Sequence, residues 1–84
     1  MYKVCVHEQA QATLDALLAE VIVAYMGVLD VLEVAPWSGE PLRGDNPGGN
    51  VRTLVFGPGG DGLVFYLILE DQRRVDVLEV QRAG

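Results

Sequence analysis

Leu63-Val64-Phe65-Tyr66-Leu67-Ile68-Leu69 decides the fold. Seven apolar residues follow one another without alternation. Strands that bury both faces have this composition. The stretch predicts a central strand over Leu63–Glu70, apolar above and below. Val51–Phe56 precedes it and Val75–Val80 follows it, both rich in β-branched residues. Gly57-Pro58-Gly59-Gly60-Asp61-Gly62 makes the first connection and Asp71-Gln72-Arg73 the second, so residues 51–80 read as a meander. The glycine-rich connection is not a phosphate loop. That device needs a helix directly after the glycines, and a strand follows here.

Upstream, Pro36–Asn50 holds three prolines and four glycines and reads as loop, with Trp37 and Leu42 as its expected anchors. Tyr2–His7 alternates. It predicts a first strand with Tyr2, Val4 and Val6 on one face and Lys3, Cys5 and His7 on the other. Between strand and loop, Glu8–Ala35 is rich in Ala and Leu. Its apolar residues recur at spacings of three and four, first Leu14, Leu17, Leu18, Val21 and Ile22, then Tyr25, Val28, Leu29 and Leu32. A single helix of that length would run about 40 Å, too long for so small a body. Two antiparallel helices are therefore expected, near residues 8–17 and 20–34, with a turn around Leu18-Ala19-Glu20. Gly27 falls inside the second helix, where it is expected to permit close packing on the sheet. Pro36 ends that helix, because the residue before a proline is pushed out of the α region.

The expected fold is α+β, in the order β-α-α-β-β-β. A helical hairpin packs on one face of a four-stranded, mainly antiparallel sheet, in one domain over residues 1–84. Two helices shelter one sheet face. The other then calls for the 36–50 loop, a second copy of the chain, or another protein. Half of the residues are hydrophobic, although a chain of this length buries only roughly 60% of its unfolded surface. That surplus points the same way.

The formal net charge is −6, from 12 acidic and 6 basic residues. Residues 1–42 hold Lys3 as their single lysine or arginine, and all five arginines lie in the second half. Such a surface repels nucleic-acid phosphate overall. A single cysteine, Cys5, excludes an internal disulfide and fits a reducing compartment. The longest charge-free run in the helical region, Val21–Leu29, is well short of the roughly 20 residues of a membrane span. Met1-Tyr2-Lys3 leads straight into a strand pattern rather than a secretory signal. A cytoplasmic protein without a membrane segment is expected. No acid–histidine cluster has metal-ligand spacing and no Ser-His-Asp set is evident, so neither metal nor cofactor is expected.

Three stretches, YKVCVHEQAQATLDAL (2–17), VLDVLEVAPW (28–37) and VFGPGGDGLVFYLILEDQRRVDVLEVQ (55–81), together with this order of elements, resemble the RelE/ParE superfamily of bacterial toxins. The similarity is to the acidic RelE-like proteins of actinobacteria in particular. It implies a small toxin wrapped by a cognate antitoxin. RelE-like members cut mRNA in the ribosome, and ParE-like members poison DNA gyrase. The nucleases place arginines, lysines and often a tyrosine or histidine on the open sheet face and the C-terminal tail. Here the pattern departs. With Tyr66 as the third-strand tyrosine, Leu63 stands where an arginine is usual. The basic pair after the last strand reduces to Arg82 beside Gln81, and no tail tyrosine is matched.

RNA cleavage needs a base to activate the 2′-hydroxyl and cations to hold the growing phosphate charge. Arg52, Arg82 and Tyr66 are the candidate catalytic residues, with Arg52 and Arg82 expected to meet above the sheet. His7 is the single histidine, but it ends a strand, where a surface histidine is ordinary. Tyr66 sits in the most apolar strand, so core packing competes with catalysis. Arg73-Arg74 is expected to neutralise Glu70-Asp71 across the turn, and Cys5 to be a buried structural thiol. Three functions stay open: a ribosome-dependent endoribonuclease with a degenerate site, a non-enzymatic poison of gyrase or another target, and an interaction module without toxicity. An antitoxin partner is expected, a homodimer is a further candidate, and ribosome and mRNA enter if the chain is active.

Overall fold

The computed structural model describes residues 1–15, 19–44, 48–60 and 62–82. In chain order they form β1 (Lys3–Val6), α1 (Glu8–Asp15), α2 (Ala19–Val34), β2 (Glu40–Pro41), β3 (Val51–Phe56), β4 (Gly62–Leu69) and β5 (Arg74–Arg82). The five strands make one sheet in the order β1-β5-β4-β3-β2. Only β1 and β5 run parallel, as expected when a helical crossover connects the first strand to the sheet. The expected four strands become five because Glu40-Pro41, inside the stretch read as loop, pairs with Thr53 and Arg52. Two residues carry no periodicity that would reveal them. Ala19 and Glu20, expected in the interhelical turn, are already helical. Leu18 and the expected helix end at Ala16-Leu17 lie outside the described residues.

β4 is central, and its neighbours give it ladder bonds on both sides. Its two faces are unequal. Val64, Tyr66 and Ile68 are sealed, while Leu63, Phe65, Leu67 and Leu69 are half-buried. The sealed face continues through Val75, Val77 and Val80 of β5 and Phe56 of β3, and it meets Tyr25, Val28 and Leu32 of α2. Leu78 is an extra residue opposite the Phe65–Tyr66 step, where Tyr66 pairs with Val77 and Phe65 with Glu79. This bulge returns Val80 to the face of Val77 across a spacing of three. The helices therefore cover one sheet face, as expected. The other is not sealed: Pro36–Gly39 packs over Tyr66 and Arg52, on the helix-covered side.

Among the described residues no helix is long and apolar enough to cross a membrane. Gly27 does not serve close packing. It is exposed, and an added Cβ would meet nothing within 4 Å. Gly27→Ala should therefore stabilise the helix by about 1 kcal/mol. Thermal denaturation followed by circular dichroism should show the midpoint rising by about 4–8 °C.

Candidate functional site

Arg52 and Tyr66 stand opposite each other on β3 and β4, and the sheet brings them together facing inward. Arg52 is 8% exposed. Its Nε donates to the Gly49 carbonyl at 3.1 Å, and its Nη1 donates to Gly39 at 2.9 Å and Trp37 at 3.3 Å. The guanidinium also lies 4.8 Å from the centroid of the Trp37 ring. The Tyr66 hydroxyl, fully buried, donates to the Pro36 carbonyl at 2.6 Å. Burial pushes the Tyr66 hydroxyl above its ordinary pKa, against smaller opposing effects from the Gly39 backbone and Arg52. A tyrosine shifted upward makes a poor base. Any side chain at Gly39 would collide with that hydroxyl. These groups clamp the segment after α2 to the sheet.

Arg82 is not part of this cluster. It is exposed at the end of β5 and pairs with Gly62, four residues along β4 from Tyr66. That is about 13 Å along the strands, with β4 intervening. Arg52 and Arg82 therefore do not meet above the sheet. The register that separates them includes the Leu78 bulge, which periodicity does not disclose.

Arg73 and Arg74 are paired. Arg73 Nη1 contacts Glu70 Oε2 at 3.0 Å and lies over the Tyr2 ring at 4.3 Å. Glu70 also accepts from the Tyr2 hydroxyl at 2.7 Å and from Trp37 Nε1 at 2.7 Å. The Tyr2 bond, then Trp37 and Arg73, hold the Glu70 carboxyl below its usual range. Arg74 does not turn to Asp71, as expected, but forks onto Asp76 with two contacts of 2.8 Å. Asp76 faces Cys5 across the β1–β5 ladder and is 3.7 Å from His7 Nε2. Cys5 is half-buried rather than sealed. Among the described residues no group of three or more His, Cys, Asp or Glu is arranged to hold a metal. The expected anchors divide: Trp37 is held by its polar contacts, whereas Leu42 is half exposed.

Exposed apolar surface is concentrated on α2 among the described residues. Beyond its inward stripe, α2 exposes Ile22, Val23, Met26, Val31 and Val34, with Val23 and Val34 at 69% and 70%. Beside them, Val6 of β1, Gln11 and Leu14 of α1, and Ile22, Tyr25, Met26 and Leu29 of α2 line a groove of about 410 Å³. The α2 contributors recur at i, i+3, i+4 and i+7, one helical stripe. A helix apolar around most of its girth is normally enclosed by protein. This one has the sheet on one side and water on the other. Its signal was present in the charge-free run Val21–Leu29, which reads as too short to span a membrane but not yet as a docking face.

Two helices thus lie on one face of a mixed sheet, and the segment after α2 is clamped by the buried Tyr66–Pro36 bond. No protein-family model matches the sequence, and no curated protein does. Among solved structures, a chain of the intact Escherichia coli RelBE toxin–antitoxin complex superposes with a TM-score of 0.80 at 19% identity, covering 100% of this chain and 99% of that one. The isolated E. coli RelE toxin gives 0.77 at 15% identity, over 100% of this chain and 86% of its own. The Mycobacterium tuberculosis RelBE2 toxin–antitoxin complex gives 0.71 at 21%, over 96% of each chain. The fold is RelE-like.

Two outcomes test the structural roles. Tyr66→Phe leaves the Pro36 carbonyl buried without its donor, and should lower the free energy of unfolding in urea by about 1–3 kcal/mol. The Arg74 fork, opposed by burial and aided weakly by His7, holds the Asp76 carboxyl below the usual value. A lowered folded pKa adds stability above the unfolded value of about 3.9 and loses it as pH falls. Asp76→Asn should therefore lose less of its melting temperature than wild type between about pH 5 and pH 3.

Proposed function

We propose that this chain acts in the cytoplasm, as one domain, as the toxin component of a type II toxin–antitoxin pair, with its antitoxin bound on the helical hairpin. The observation that carries the reading is the exposed apolar pair Val23 and Met26, about one turn apart on α2, beside the groove lined by Ile22 and Leu29. Contiguous apolar surface of this kind marks a protein contact. The RelE-like fold supports a toxin rather than another small α+β module, and two of its structural neighbours come from complexes with an antitoxin.

We assign no RNA cleavage to Arg52, Tyr66 and Arg82. A guanidinium spent on three carbonyl oxygens beneath a loop does not reach a phosphate. The half-buried sheet face offers Leu63, Phe65, Leu67 and Leu69 where charge stabilisation would be needed. Arg73 and Arg74 are held by carboxylates, and the chain as a whole repels a polyanion. A target other than mRNA follows.

Induction of the chain alone should arrest growth, with mRNA intact by primer extension and Arg82→Ala equally toxic. Absence of arrest would remove the toxin reading. Loss of both arrest and mRNA cuts in Arg82→Ala would restore the nuclease. Paired substitution Val23→Glu and Met26→Glu should preserve folding, yet weaken antitoxin binding at least about tenfold in calorimetric titration, since it places charge on a desolvated contact.

A further inference from the structure

The outer face of the sheet is a second apolar surface, on the side away from the helices. On β4 it presents Leu63, Phe65, Leu67 and Leu69, all half-buried. On β3 the register sets Val51 beside Leu67 and Val55 beside Leu63. Val55 is 62% exposed. The β5 and β1 side of the same face is polar. Glu79 pairs with Phe65, Asp76 with Leu67 and Arg74 with Leu69. One strand further out, Cys5 pairs with Asp76 and Lys3 with Arg74.

The charges on this face are ordered along the strands. Exposed Lys3 and the Arg74 guanidinium sit in the Leu69 row, and exposed Glu79 sits in the Phe65 row. These rows are about 13 Å apart, with the Leu67 row midway. A two-fold axis across the strands at that row lays Leu67 on Leu67 of a second copy, and Phe65 on Leu69. It also lays Glu79 over the second copy's Arg74, one strand from its Lys3. That offset of about 4.8 Å is within reach of a lysine side chain. The apolar patch then meets itself, and opposite charges meet at both ends of it. Asp76 meets its own copy near the axis, but its carboxylate is 7% exposed and neutralised by the Arg74 fork.

A partner of one sign suits this face less well. A cationic partner satisfies Glu79 and repels Lys3, and an acidic one does the reverse. Size agrees with a second copy. Five strands about 4.8 Å apart and the length of β4 give a face on the order of 600 Å² before side-chain relief is counted. Stable interfaces bury about 800 Å² of accessible surface per partner. The resulting helix-sheet-sheet-helix stack places both acidic hairpins outermost, where their like charges are farthest apart.

We infer that two copies of this chain associate through their outer sheet faces, about a two-fold axis that crosses β4 at Leu67. This goes beyond the toxin–antitoxin reading and does not rest on it. The hairpins stay open on both outer sides of the dimer. Because the contact is isologous, each half of the patch meets the other half of its copy, and Cys5 in the axis row faces Cys5.

Sedimentation equilibrium of the full chain tests this. It should give twice the chain mass, with a Kd on the order of micromolar. Phe65→Glu should weaken the dimer at least about tenfold, since it places charge at the centre of the contact. The exposed charges give a second test that leaves the core untouched. Lys3→Glu and Glu79→Lys should each weaken the dimer about threefold, and the two together should restore wild-type affinity. A short bismaleimide should join two chains through Cys5 in the wild type and not in Phe65→Glu. Val23→Glu with Met26→Glu should remain dimeric. Three results would overturn the inference. The first is a monomer at about 100 µM. The second is a dimer broken by the hairpin substitutions and spared by Phe65→Glu, which would move the contact to the helices. The third is a charge exchange that restores nothing, with no Cys5 cross-link, which would remove the axis. None of these readouts depends on growth arrest, so failure here and failure of the toxin reading are separable.

Discussion

A central strand with two apolar faces and one helical layer to cover them is the constraint on which the rest depends. Val64, Tyr66 and Ile68 spend β4's inward face on the core, where α2 meets them with Tyr25, Val28 and Leu32. Leu63, Phe65, Leu67 and Leu69 are left half in water. In a body of 84 residues no third layer is at hand among the described residues. The hairpin has the same difficulty. α2 is apolar inward and outward, and the sheet can satisfy only one side. Excess apolar surface thus lies on both outer faces of a two-layer molecule, a pattern of association rather than of solitary stability.

The clamp below α2 shows how the cations are used. Arg52 crosses from β3 to bind three carbonyl oxygens of the connecting segment, and Tyr66 binds a fourth. A buried arginine is tolerable only when its donors are satisfied, and carbonyls turned inward by a Pro-Trp-Ser-Gly turn provide acceptors. The same residue cannot also serve as an exposed phosphate ligand. Arg73 and Arg74 are likewise committed, one to Glu70 and the Tyr2 ring, the other to Asp76. Three of this chain's five arginines thus serve as internal or surface mortar.

Much of the architecture was legible because it rests on period and punctuation. Val51–Phe56 emerged with the bounds that its β-branched residues imply, and Pro36 stopped α2 within two residues. What stayed hidden depends on contacts distant in sequence. Glu40-Pro41 becomes a strand only because Thr53 and Arg52 are beside it. Leu78 is a bulge only relative to β4, yet it sets which residues of β5 face inward. The candidate site suffered most. Arg52 reads in sequence as a strand arginine like any other, and nothing local says that Trp37, Gly39 and Gly49 will close over it. Alternation along β4 was equally invisible, because both faces are apolar in composition and differ only in what covers them.

Electrostatics and burial together limit what can dock. A polyanion approaching this molecule meets an acidic hairpin on one side and a largely apolar sheet face on the other. A cationic protein segment meets attraction at long range and an apolar seat at contact. Charge of this kind acts chiefly on the rate of encounter, while desolvated apolar anchors set the rate of escape. The acidic hairpin and the stripe Ile22, Met26 and Leu29 therefore do different work on one surface.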